Sequence, residues 1–310
     1  MKFLIVGPGA MGCLFGARLK RSGFDVTLLD YLPERAEKIN KQGIDIEGVT
    51  GSYHVNIPVL TGSLNIQPDI AVICVKSDKT RKAAMTLNPL ITPDTLIVTL
   101  QNGVGNIEIL GEIFGKKRVM GGVTSEGANM VGLGKIRHAG QGTTVIGPSG
   151  PAEKIVSAFN RAGFRTEASD DVESLIWGKL IINVGINALT ALTGLKNGLL
   201  PRHKGTRLIM EDAVREAMEV VEAKGIRLPF SDPLARVIEV CEATSENRAS
   251  MLQDVTNKKT TEIDFINGAI VREGRRLSIP VPVNHTLTSL IYAIQSTYDE
   301  RIDFQPPGNC

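Results

Sequence analysis

Residue types that bind metals or cross-link chains are sparse in this 310-residue sequence. Its four cysteines (Cys13, Cys74, Cys241 and Cys310) lie far apart with no Cys-x-x-Cys pair, a usage that fits reduced thiols in a cytoplasm. Its four histidines (His54, His138, His203 and His285) include no helical pair with metal-ligand spacing, so no metal centre is expected. Charge of one sign is not in excess. Lys and Arg number 35 against 33 Asp and Glu, a formal net charge of +2, which lacks the basic footprint of a nucleic-acid binder. The apolar run 70–75 has six residues, far short of the roughly 20 that span a bilayer, so no membrane partner is expected. The leading MKFLIVGPGAMG reaches glycine too soon for a signal peptide. With 42% apolar and 22% charged residues, the composition is that of a globular cytoplasmic protein, and its length allows two domains.

The first half alternates short apolar runs with helical periodicity. Residues 3–6 read as a buried strand, 10–21 as a helix closed by Gly23, 26–29 as a second strand, and 33–41 as a helix with proline in its first turn. Further strands are expected at 70–75, 96–100 and 119–123, with helices near 78–88 and 105–113 between them. Such alternation implies parallel strands joined by right-handed crossovers, the doubly wound arrangement. Segments 44–60 and 132–147 break the rhythm and read as inserted antiparallel hairpins. From about Asp170 strand signals nearly vanish, and 171–193, 203–225, 232–242, 246–276 and 283–299 carry helical periodicity. The boundary is placed near Ser169, between a domain at 1–168 and an all-α domain at 169–310; the QPPGNC tail reads as a frayed end.

Gly7, Pro8, Gly9, Ala10, Met11 and Gly12 fit G-x-G-x-x-G, and here the motif follows a strand and opens a helix, the context it requires. Gly7 allows the tight turn, Gly9 lets backbone approach a pyrophosphate, and Gly12 lets helix and sheet pack closely. Amides at the helix N-terminus then face phosphates, which makes 1–168 a Rossmann-type domain binding a dinucleotide. A plain strand–helix turn is the alternative. Asp30 ends the second strand, where a carboxylate accepts hydrogen bonds from ribose hydroxyls and opposes a 2′-phosphate. Two like charges about 4 Å apart at an effective dielectric of about 20 repel by roughly 4 kcal/mol, which favours NADH over NADPH. Arg35 is the first basic residue that follows and can still reach a 2′-phosphate; alternatively Asp30 only caps the helix that begins near Pro33.

In WGKLIINVGINALTAL (177–192), Lys179, Asn183 and Asn187 fall at i, i+4 and i+8 on the one polar stripe of an apolar helix. Asparagine is a poor helix former, so the stripe fits either a cavity for a polar ligand or the thin exposed edge of a core helix. Hydride delivery to a carbonyl builds charge on its oxygen, and a desolvated lysine ammonium can protonate it while carboxamides orient the substrate. In 244–268, Asn247, Ser250 and Asp254 share a face if the stretch is helical, and Glu262 follows inside a helix-like segment with Ile263, Ile266 and Ile270 on its apolar side. Alone, these residues read more often as an N-cap region plus a solvated face.

With these motifs in order, the chain resembles the ketopantoate reductase (2-dehydropantoate 2-reductase) family over nearly its full length. The carriers are GPGAMG at 7–12, VKS at 75–77, QNGVGN at 101–106, WGKLIINVGINALTAL at 177–192, and ENRASMLQDV with TEIDFINGAIV at 246–271. The resemblance implies reduction of ketopantoate to (R)-pantoate on the route to pantothenate and coenzyme A. It implies that Lys179 is the general acid and that Glu262 contacts a substrate hydroxyl or assists the lysine. It implies that Asn183, Asn187 and Asn247 hold substrate oxygens, that Ser250 holds the carboxylate, and that Asn102 and Lys76 lie near nicotinamide and substrate. As a solvated strand-end residue Lys76 would carry no role. Family habit favours NADPH, whereas Asp30 and Tyr31 stand here where many members carry a basic residue. Two alternatives remain: a reductase of another branched or hydroxylated 2-oxo acid, and a non-catalytic dinucleotide-binding redox sensor, which would have no need of Lys179 and Glu262. The apolar helices after residue 170 can bury their surplus within the chain or across a homodimer interface.

Overall fold

The structure is a computed structural model that describes residues 1–62 and 66–300, so the tail and Cys310 lie outside the described residues. The chain divides into two compact units, Met1–Ile176 and Trp177–Cys310. The divide falls inside a single long helix rather than in a linker.

The first unit runs β1 (Lys2–Val6), α1 (Ala10–Arg21), β2 (Asp25–Leu29), α2 (Pro33–Gln42), β3 (Ile44–Gly48), β4 (Tyr53–Val55), β5 (Val59–Leu60), β6 (Ile70–Ile73), α3 (Thr80–Leu87), β7 (Leu96–Thr99), α4 (Asn106–Phe114), β8 (Val119–Thr124), β9 (Gly127–Gly132), β10 (Lys135–Gly140), β11 (Thr143–Gly147), α5 (Ser149–Arg161) and β12 (Arg165–Ala168). Eight strands form one sheet in the order β12-β11-β8-β7-β6-β1-β2-β5. Strand parity divides the core in two. Phe3 and Ile5 of β1, with Ile70 and Val72 of β6, pack with Phe15, Phe159 and Phe164 on one face. Leu4, Val6, Ala71 and Ile73 pack with Ala84, Leu87, Leu110 and Phe114 of α3 and α4 on the other. Burial on both faces is why these strands read as unbroken apolar runs.

Two expectations need correction. The sheet is parallel except that β11 runs antiparallel to β8, because the connection between them is a hairpin and not a crossover helix. The hairpin expected within 44–60 is there as β3–β4, whereas 132–147 is not a hairpin by itself. β3–β4 and β9–β10 are each antiparallel pairs, but β3 pairs with β10 to make one four-stranded sheet, while 143–147 leaves it as β11 of the main sheet. Inside this region His138 is fully buried, its Nε2 2.6 Å from Glu126 Oε2 and its Nδ1 2.8 Å from Thr50 Oγ1.

The second unit has no strand among its described residues. It contains most of α6 (Val172–Thr193), then α7 (Lys204–Ala223), α8 (Pro233–Ala243), α9 (Ser250–Thr256), α10 (Asn267–Leu277) and α11 (Pro282–Ser296). Asp232 caps α8 by accepting from the Ala235 N–H at 2.9 Å. The 22-residue α6 is long and apolar enough to cross a membrane by length and composition, yet it is mostly buried, as a core helix is. The expected helix over 246–276 is broken in three: α9, a 3₁₀ turn at Ile263–Phe265, and α10. Asn247 therefore precedes α9 in a loop and Glu262 precedes the 3₁₀ turn, neither lying within a helix.

Candidate active site

At the carboxyl end of β1 each glycine of the fingerprint has a different reason to lack a side chain. Gly7 has φ +99°, and a Cβ there would sit 2.7 Å from Val75 Cγ1. A Cβ on Gly12 would lie 2.1 Å from the Gly7 carbonyl oxygen, so this position allows α1 to seat against the turn. Gly9 differs, because nothing of the protein lies within 4 Å of where its Cβ would be. That open face adjoins the first turn of α1, which has neither a side-chain cap nor an acidic residue, so its N–H groups remain available to an anion. Pro8, Ala10 and Met11 complete the turn. The arrangement fits a pyrophosphate.

Asp30 directly follows β2 with its side chain fully buried. Arg35, on the first turns of α2, donates to both of its carboxylate oxygens: Nη2 to Oδ1 at 2.6 Å, and Nε to Oδ2. The Leu32 N–H also donates to Oδ1 at 3.1 Å. Hydrogen bonding to Asp30 is the main reason the Arg35 guanidinium is held above its ordinary range. The arginine read from sequence as a residue able to reach a 2′-phosphate is here the acid's own partner.

Lys76 and Asn102 follow β6 and β7 at the same edge of the sheet. Lys76 is half-buried and leads into a 3₁₀ turn at Ser77–Lys79. The loops are tied by side chains for which the sequence suggested no role. Ser77 Oγ donates to the Asn102 carbonyl at 3.0 Å, and Asn106 Nδ2 reaches the same carbonyl and Ser77 Oγ, each at 3.1 Å. Gln101 Nε2 donates to the Val75 carbonyl at 2.6 Å and to Thr80 Oγ1 at 2.8 Å. Thr80 in turn donates to Asn106 Oδ1 at 2.9 Å. The QNGVGN and VKS motifs are thus one hydrogen-bonded scaffold that fixes the backbone at Asn102 and Lys76. The density of amides and hydroxyls in these two short motifs is the signal that could have revealed it.

In the second unit, α6 carries the polar stripe. Asn187 is buried, with Thr190 Oγ1 donating to its carbonyl at 2.9 Å, while Lys179 and Asn183 are half-buried. Burial pushes the Lys179 ammonium down from 10.5 to about 8, and the nearby Glu262 carboxylate opposes that fall. Glu262 is half-buried, whereas Asn247 and Ser250 are exposed, Asn247 before α9 and Ser250 as its first residue. The Asn247 carbonyl accepts from the Asn197 N–H at 3.1 Å. Lys179 and Glu262 are thus brought within electrostatic reach of one another. A lysine with such a proton affinity can give its proton to a developing alkoxide and regain one from water near neutral pH.

The three described cysteines offer no competing chemistry. Burial raises the Cys13 and Cys74 thiols to about 12 and Cys241 to about 11, far from the thiolate range that nucleophiles need.

Comparison with known proteins accounts for almost the whole chain. A family model described as "Ketopantoate reductase PanE/ApbA" matches residues 3–151, and its "C terminal" counterpart matches 171–295. A 2-dehydropantoate 2-reductase of Pyrococcus horikoshii is 36% identical over 301 residues, covering 96% of this chain and 98% of its own. The crystal structure of a PanE/ApbA family ketopantoate reductase from Ralstonia eutropha JMP134 superposes with a TM-score of 0.91 at 34% identity, over 96% of this chain and all of that one. The ternary structure of a D-mandelate dehydrogenase with NADH and anilino(oxo)acetate gives a TM-score of 0.89 at 26% identity, over 96% and 100% of the two chains.

Proposed function

The chain belongs to the ketopantoate reductase family, and from that membership and the Lys179 site we propose that it reduces the 2-oxo group of 2-dehydropantoate to the hydroxyl of (R)-pantoate. The observation that carries the reading is a half-buried lysine, lowered to about 8 and facing a carboxylate, on a helix stripe whose other members are carboxamides.

A bound nicotinamide supplies the hydride. Negative charge then grows on the C2 oxygen, and Lys179 neutralises it by donating its proton. Glu262 keeps the lysine charged until that moment, because its carboxylate raises the ammonium's pKa against desolvation. Asn183, Asn187 and Asn247 donate to and accept from substrate oxygens without competing for the proton, and Ser250 receives the carboxylate. Asn102 and Lys76 would lie beside the nicotinamide end of the cofactor. Gly7–Gly12 would hold the pyrophosphate and Asp30 the adenosine ribose.

For the cofactor we favour NADH. A ribose diol can replace Arg35 as donor to Asp30, whereas a 2′-phosphate meets a buried carboxylate. Because Arg35 offsets that charge, the discrimination is smaller than the bare repulsion, and NADPH is used less well rather than refused. Four scattered cysteines with no Cys-x-x-Cys pair support a cytoplasmic setting.

The test is the decay of nicotinamide absorbance with 2-dehydropantoate, run with NADH and NADPH on wild type and Lys179→Ala. Losing one donor to the developing oxyanion costs about 10²–10³ in kcat. Full activity in Lys179→Ala would overturn the assignment of the acid. A second reading, reduction of another bulky 2-oxo acid, draws support from the likeness to D-mandelate dehydrogenase. Rates on 2-oxo acids lacking the 4-hydroxyl, set against 2-dehydropantoate, separate the two.

A further inference from the structure

Five residues beyond Glu262, the first residue of α10 is a fully buried asparagine, Asn267. Its Nδ2 donates to the Val184 carbonyl on α6 at 3.3 Å and to Asn284 Oδ1 on α11 at 3.0 Å. Asn284 is itself held from α7: its Nδ2 donates to the Ala213 carbonyl at 2.9 Å and to Glu216 Oε2 at 2.8 Å. Glu216 also accepts the Val283 and Asn284 N–H groups at the start of α11, at 2.7 and 2.9 Å. Four helices thus meet at one polar network in an otherwise apolar core. Asn267 Oδ1 is buried there and makes no hydrogen bond within the described protein. An orphaned acceptor is costly, and an apolar residue would avoid that cost, so the two donated bonds are the feature that needs an asparagine.

The Val184 carbonyl lies on the same helix as Lys179, Asn183 and Asn187, and directly follows Asn183. On the other side, the segment from Glu262 to Asn267 is stiff. The Phe265 N–H donates to the Glu262 carbonyl at 3.0 Å, the Ile266 N–H to the Ile263 carbonyl at 3.2 Å, and the Thr261 N–H to Gln295 Oε1 at 2.5 Å. A displacement of Asn267 therefore carries Glu262 with it.

We propose that Asn267 is a positioning residue of the reductase: it ties the helix that carries Lys179 and Asn183 to the segment that carries Glu262, and so fixes the lysine–carboxylate geometry. The inference rests on the reading of Lys179 as the acid. It predicts that loosening this tie separates the two groups and admits water, without touching substrate or cofactor.

The test uses the full chain with Asn267→Ala and, as a second variant that leaves Asn267 itself in place, Asn284→Ser. Three quantities are read: kcat with 2-dehydropantoate, the dinucleotide KM, and the midpoint of Lys179 followed by NMR of ¹³C-labelled lysine, with Lys179→Ala supplying the assignment. The expected result for folded Asn267→Ala is a kcat loss of up to about 10²-fold, the scale of a 1 Å misplacement, with the dinucleotide KM unchanged and the Lys179 midpoint shifted upward, because regained hydration outweighs the weakened pull of the Glu262 carboxylate. A lower melting temperature with wild-type kcat and midpoint would overturn the proposal and leave Asn267 a merely structural residue. If Asn267→Ala does not fold, Asn284→Ser decides on the same readouts, a smaller shift in the same direction supporting the tie and no shift refuting it. If the wild type turns over no 2-oxo acid, the parent reading fails, and the Lys179 titration alone still decides whether Asn267 sets its environment.

Discussion

Arg35 closes over Asp30. The guanidinium donates to both carboxylate oxygens of an acid that is 2% exposed, while the arginine side chain keeps 27% of its own surface in solvent. Under the proposed ribose role, Arg35 thus occupies the two oxygens that a ribose diol would take. Arg35→Ala is expected to widen the preference for NADH, because Asp30 then faces a 2′-phosphate with no neutralising partner. The same variant should lose about 2–3 kcal/mol of stability without ligand, less than a fully buried pair because Arg35 is partly solvated. Ratios of kcat/KM for the two cofactors, with urea melts of apoprotein, measure both. An unchanged ratio would remove Arg35 from cofactor choice.

Gly9 and Gly12 make opposite predictions from the same motif. Gly9→Ala puts a methyl into space the protein does not use, so unfolding should hardly change while dinucleotide Kd rises about tenfold or more, 1.4 kcal/mol. Gly12→Ala drives a Cβ to 2.1 Å from the Gly7 carbonyl, and the loop or α1 must shift at a cost of about 1–3 kcal/mol. Calorimetric titration with NADH and thermal melts of both variants separate a ligand effect from a folding effect.

What the sequence could and could not disclose follows from the kind of signal involved. The turn at Gly7–Gly12 was legible because a run of strand residues changes there to helical period. The stripe on α6 was legible because three polar residues at i, i+4 and i+8 stand out on an apolar helix. The break between α9 and α10 was not, since Ile263, Ile266 and Ile270 keep helical spacing through the 3₁₀ turn at Ile263–Phe265, and nothing in the pattern marks Lys258, where φ is +51°. Nor was the direction of β11, because its alternation reads the same parallel or antiparallel. Arg35 on Asp30 and Gln101 on Val75 depend on rotamers and on where one loop passes another, which residue spacing does not carry.

Lys179 should weaken the fold that holds it. Its pKa is about 8 in the folded protein against 10.5 for an ordinary lysine, so below pH 8 both states bind the proton and the folded state bears the full cost of the charge. Between pH 8 and 10.5 the unfolded state binds more protons, and stability rises with pH. Lys179→Met is therefore expected to stabilise the protein at pH 7 by about 1–3 kcal/mol while abolishing turnover, a gain discounted for the lysine's partial exposure. The gain should shrink as pH approaches 10. Urea unfolding at pH 7 and pH 10 tests it, and a variant less stable than wild type at pH 7 would contradict the assigned burial cost.

Glu262 gives the sharpest sign test, because two effects on Lys179 oppose one another. Desolvation lowers the lysine's pKa and Glu262 raises it, the first being larger. Lys179 must be protonated to act as an acid, so wild-type kcat/KM, which reports the free enzyme, should fall as pH rises through about 8. In Glu262→Gln only the raising influence is lost. The alkaline limb should move to lower pH, and activity at neutral pH should drop further than loss of a substrate contact alone would cause. Activity in this variant should recover on acidification, since the lysine regains its proton there. A role of Glu262 confined to hydrogen bonding with substrate would instead lower kcat/KM equally at every pH and leave the limb where it was, so the pH profile of this one variant distinguishes a carboxylate that tunes the acid from one that only binds.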